Sequence, residues 1–68
     1  MRAIDIYVAF FKGNQSKAAR AIDKKPGHVW HWVNKAPDMP VSLVPRAAEI
    51  IGKKASDLRP DLWGEGIN

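Results

Sequence analysis

The chain contains no cysteine, so no disulfide and no thiolate metal site can staple it, and a reducing compartment is the expected setting. It also has no apolar run approaching the ~20 residues that a membrane span requires. Its most apolar stretch, MRAIDIYVAFF, is interrupted by Asp5 and lacks a small-residue cleavage site, so it reads as a core helix and not as a leader. No segment alternates with period two for long enough to demand a strand. There is no nucleophile elbow, no phosphate-cradling glycine-rich loop and no plausible paired-carboxylate pocket in 68 residues. Asp5, Asp23, Asp57 and Asp61 are scattered among caps and turns. Neither catalysis nor a cofactor is expected, and the cytoplasm is the expected location.

Acidic residues are scarce in one place above all. Between Lys12 and Lys35 stand six bases (Lys12, Lys17, Arg20, Lys24, Lys25 and Lys35) and a single acid, Asp23. That segment carries 6 − 1 = +5 and the remainder 5 − 6 = −1, which together make the formal +4. A positive field confined to one part of a small protein is the footprint of a phosphate-backbone binder, the plainer alternative being a solvated basic face. At this length one domain is expected, spanning residues 1–63, with a frayed tail at 64–68.

Apolar residues Ile4, Tyr7, Val8 and Phe11 recur at helical spacing and predict a first helix over 3–11, closed by Gly13 as its left-handed terminator. Asn14 is a natural cap for a second helix over 15–22, whose alanines permit close approach of a neighbour. After the turn Asp23-Lys24-Lys25, Pro26 suits the first turn of a third helix over 26–34. There Val29, Trp32 and Val33 form the inward stripe, and Gly27, His28, Trp30, His31 and Asn34 face outward. Ala36 to Pro40 is a loop. A fourth helix is expected over 41–51, with Pro45 marking either an irregular first turn or the start of the helix proper, and Gly52 closing it. Ala55 to Arg59 suits one further turn capped by Ser56 and stopped by Pro60, after which Leu62 and Trp63 fold back over the core.

Gln15, Ala18, Ala19, Ile22, Val29 and Trp32 fall where two helices joined by a tight turn need a phosphate-facing first residue, small packing residues and an apolar anchor. With the strings FFKGNQSKAARAI, KKPGHVWHWVN and DLRPDLW in place, nearly the whole chain resembles the small phage Cro-type repressors, and more closely the YdaS-like antitoxin or Cro-like proteins of prophages. The resemblance implies an all-α fold of four to five short helices containing a helix-turn-helix, a lambda-repressor-like DNA-binding domain. It implies a sequence-specific transcriptional repressor that places the third helix in a major groove of double-stranded DNA.

Carried over by position, base readout falls to Lys25, Gly27, His28, Trp30 and His31. Phosphate contact falls to Gln15, Ser16, Lys17, Arg20, Lys24, Asn34 and Lys35, with the amides at the start of the second helix offering an anion site. The family pattern usually has glycine where Asp23 stands and an apolar residue where Lys24 stands, so the turn itself departs from it. One short helix reads few bases, so a homodimer on a pseudo-palindromic operator is expected, with Leu58 and Trp63 at the contact. The alternative is an antitoxin-like module that binds a toxin protein and uses DNA binding for autoregulation. His28 and His31 stand three residues apart, but without a third ligand no metal site is expected. Trp32 and Trp63 read as core, whereas Trp30 reads as a contact to DNA or a partner, or as packing on the first helix or the loop.

Overall fold

The computed structural model describes residues 2–63, and the tail expected at 64–68 lies outside them. Helices α1 (Ala3–Phe10), α2 (Gln15–Ala21), α3 (Pro26–Asn34), α4 (Val44–Ile50), α5 (Ala55–Leu58) and α6 (Pro60–Trp63) follow one another, with a 3-10 turn at Val41–Leu43 ahead of α4. No strand occurs among the described residues, so the all-α expectation holds, with one helix more than foreseen. No helix among them is long and apolar enough to cross a membrane.

The core collects one face of each long element: Ala3, Ile4, Tyr7 and Val8 from α1, Ala18 and Ala19 from α2, Val29 and Trp32 from α3, Val44, Ala47 and Ala48 from α4. Ile22, Met39, Ile51 and Leu58 complete it from the connections and from α5. Ala18 and Ala19 are fully buried, which lets α2 lie close against α3 and α1. The Tyr7 hydroxyl donates a 2.6 Å hydrogen bond to the Ala18 carbonyl, so the one polar atom on the buried face of α1 is satisfied and ties α1 to α2. Burial pushes the Tyr7 phenol above its ordinary pKa.

Three helices end in the same device. After α1, α2 and α4 a left-handed residue turns the chain, and the two amides that follow the helix bond back to its last carbonyls. Only α4 uses glycine at the turning position, Gly52; α2 uses Asp23 at φ 61° and α1 uses Lys12 at φ 57°. The first left-handed residue after α1 is therefore Lys12; Gly13, expected as the terminator, follows it, is left-handed as well at φ 82°, and sends its amide to the Val8 carbonyl at 3.1 Å. Glycine removes the Cβ penalty of a left-handed residue, so Lys12→Gly is expected to stabilise the fold by about 1 kcal/mol. A thermal melt read by circular dichroism checks it: the midpoint should rise by roughly 4–8 °C, and an unchanged midpoint contradicts the strain.

Two sequence expectations fail at the C-terminal end. Ser56 lies inside α5 and caps nothing; the first turn is closed by Asp57, whose carboxylate accepts the Lys54 amide at 2.9 Å. Pro60 ends α5 but also opens α6, since its missing N–H costs nothing in a first turn. Leu62 and Trp63, expected over the core, are instead 44% and 36% exposed, while Leu58 is buried in the core at 1%. Leu58 is thereby removed from any dimer contact.

Candidate nucleic-acid interface

Asn14 caps α2 as expected, accepting the Lys17 amide at 3.0 Å on its Oδ1. One of the amides expected to meet an anion there, that of Lys17, is thus already engaged by the cap. Gln15 is half-buried; Ser16, Lys17 and Arg20 are exposed. The connection Ile22 to Lys25 turns the chain through Asp23, and the Lys24 amide bonds the Ala19 carbonyl at 2.8 Å, closing α2 and placing α3 against it. An aspartate tolerates this left-handed position better than most residues, so the departure from glycine leaves the turn intact.

Along α3, Val29 and Trp32 are buried and Val33 is half-buried, whereas Pro26, Gly27, His28, Trp30, His31 and Asn34 are exposed. Gly27, Trp30, His31 and Asn34 recur at i, i+3, i+4 and i+7 and so share one outward stripe. Trp30 is 50% exposed, an unusual state for the largest side chain in the chain's most basic third. A Cβ added at Gly27 meets open space and its backbone is ordinary helix, so the fold does not require glycine there. The His28 ring lies 6.3 Å from that of Trp32, at the edge of the stripe. Asn34 donates from its side-chain amide to the Trp30 carbonyl at 2.9 Å, which leaves one N–H and the oxygen for an outside partner.

The cations of this region are free of internal partners. Lys12, Lys17, Arg20, Lys24, Lys25 and Lys35 are all exposed, and among the described residues none makes an ion pair. The ion pairs that do form gather elsewhere: Arg2 with Asp5, and Arg59 with Asp38 and Asp61. Hydrogen bonds from Arg2 hold the Asp5 carboxyl below its ordinary pKa, and those from Arg59 do the same for Asp61. A depressed carboxyl stabilises the folded state above its unfolded pKa, near 4, and that contribution disappears as pH falls through the depressed value. These pairs therefore persist through the neutral range.

No family model, curated protein or solved structure matches this chain. The site thus stands on its own geometry. All five residues expected to read bases, Lys25, Gly27, His28, Trp30 and His31, lie exposed on α3 or at its start, Gly27 offering backbone only, and of the seven expected on phosphates only Gln15 is partly covered. No cluster of three or more His, Asp or Glu side chains occurs among the described residues.

Sequence reasoning missed two residues that shape this face. Asp38 accepts the Ala3 and Ile4 amides at 3.0 and 2.9 Å and the Met39 amide at 2.7 Å, so a loop residue caps the start of α1. Arg2 donates to the Trp32, Val33 and Ala36 carbonyls at the far end of α3. Both partners lie more than 29 positions away along the chain, beyond any local capping pattern.

Proposed function

We propose that the chain is a sequence-specific DNA-binding regulator of the Cro type, in which α2, the Asp23 turn and α3 act as a helix-turn-helix. The observation that carries this reading is the outward stripe of α3, with Trp30 and His31 exposed and flanked by cations that no acid within the described fold neutralises. In the major groove, Lys25 meets guanine acceptors, Trp30 a thymine methyl or a sugar, and His31 a base edge one turn along. Lys17, Arg20, Lys24 and Lys35 neutralise phosphates and release counterions, and bound protein occludes a promoter.

Such a regulator works as a homodimer on a two-fold operator, in the cytoplasm of a host carrying the prophage. Leu62 and Trp63, which α6 leaves exposed, supply apolar surface for the second copy. The same exposed pair favours a second reading, an antitoxin-like module that docks a toxin protein there and binds DNA to regulate its own expression.

The test is anisotropy of the purified protein on a labelled random-sequence DNA pool at several salt concentrations, with the bound fraction recovered and sequenced. Steep salt dependence and an enriched two-fold-symmetric site support the regulator; no binding even at low salt refutes DNA recognition. With that site in hand, His31→Ala should weaken specific binding by about 1–3 kcal/mol and leave non-specific binding nearly intact. Equal losses on all DNAs would remove His31 from base readout.

A further inference from the structure

We propose that Arg2 is a positioning residue for the DNA-reading helix, holding the last turn of α3 from behind; this rests on the DNA-binding reading above. The last carbonyls of a helix have no partner within it and must find one elsewhere. In α1, α2 and α4 a left-handed residue turns the chain so that backbone amides reach them. After α3 no left-handed residue follows: Lys35 keeps a right-handed φ of −117°, and the amides of Lys35 and Ala36 both go to the His31 carbonyl at 2.8 Å. The Trp32, Val33 and Asn34 carbonyls receive no backbone amide.

Arg2 takes the first two. Its Nη1 donates to Trp32 O at 3.3 Å and to Ala36 O at 3.4 Å, and its Nη2 donates to Val33 O at 2.9 Å. The remaining donors, on Nε and Nη2, grip Asp5 at 3.0 Å each in a planar fork. A guanidinium has five N–H groups, and all five are engaged here, so none remains for a phosphate. A positive charge at this end also complements the partial negative charge of the helix terminus. Asp5 aims the guanidinium, the guanidinium closes α3, and α3 carries His31 and Asn34 in the turn so closed.

The experiment compares wild type with Arg2→Gln and Asp5→Asn on the selected site and on random-sequence DNA, at a temperature where melts show every variant fully folded. Asp5→Asn is the informative variant, because it raises the net charge by one and leaves Arg2 charged but unaimed. Long-range attraction alone would make it bind every DNA more tightly. The positioning role instead gives about tenfold weaker binding to the selected site in both variants, roughly one good base contact, with less than about twofold change on random DNA. Amide hydrogen exchange at Lys35 and Ala36 should quicken in both variants, while exchange at Ala18, bonded to Asn14 O at the start of α2, stays as in wild type. Wild-type preference in both variants, or tighter binding of Asp5→Asn to all DNA, overturns the proposal. If the wild type binds no DNA at low salt, it is the DNA-binding reading that fails. Exchange then decides separately whether Arg2 holds α3: faster exchange sustains that, and unchanged exchange overturns it.

Discussion

Replacing Asp38 with alanine is expected to destabilise the fold by about 2–4 kcal/mol, because charged hydrogen bonds contribute roughly 1.5–3 kcal/mol and a lost cap about 1. The carboxylate accepts three backbone amides, of Ala3, Ile4 and Met39, and lies 3.7 Å from Arg59. Arg2, the residue before α1, makes no side-chain cap for it, and so the first amides of that helix depend on Asp38. In a domain of this size the melting midpoint should fall by on the order of 10–20 °C. Asp38→Asn, which keeps one acceptor oxygen and turns a donor toward the other amide, should fall between wild type and alanine. Urea unfolding followed by circular dichroism measures both, and a loss under about 0.5 kcal/mol for alanine would mean that water replaces the cap.

The second large effect concerns affinity. Converting Lys17, Arg20 and Lys24 together to glutamine lowers the formal net charge from +4 to +1. Each side chain is exposed and makes no ion pair among the described residues, so the fold should change by no more than about 0.5 kcal/mol. If all three neutralise phosphates, the dependence of log affinity on log salt should flatten by roughly 2–3, and affinity at low salt should fall on the order of 10²–10³-fold. The loss should be similar on specific and random DNA, since phosphates carry no sequence information. An unchanged salt slope would return these three cations to the status of a solvated face.

The two experiments address charges on different segments, those that hold the scaffold and the unpaired cations between Lys12 and Lys35. Arg2, Asp5, Asp38, Arg59 and Asp61 spend their charges on one another and on helix ends. The cations from Lys12 to Lys35 spend theirs on nothing within the described fold. On the DNA-binding reading proposed above, stability is expected to be largely insensitive to salt and DNA affinity strongly sensitive to it, because partly buried pairs are screened less than exposed, separated charges.

Local pattern determined most of the fold by itself. Helical spacing of Ile4, Tyr7 and Val8 and of Val29 and Trp32 identified the buried faces, since an apolar stripe has one way to leave water. Asn14 and Pro26 marked two helix starts because capping and proline geometry act within one turn. The exposed stripe Gly27, Trp30, His31 and Asn34 followed as the complement of the buried one.

Tertiary structure alone decided the rest. Phe11-Lys12-Gly13 offered glycine as terminator, yet the left-handed turn begins one residue earlier, on Lys12, and runs on through Gly13. Leu58, expected at a dimer contact, is buried in the core, whereas Leu62 and Trp63, expected over the core, are left exposed on α6, which starts at Pro60. Asp38 and Arg2 found their partners on elements distant in sequence, and no composition, period or cap pattern reports such a meeting. A helix start or a buried stripe is legible because the interactions that make it lie within a few residues. The closing of α3 by a guanidinium from the start of α1 exists only once the chain has folded.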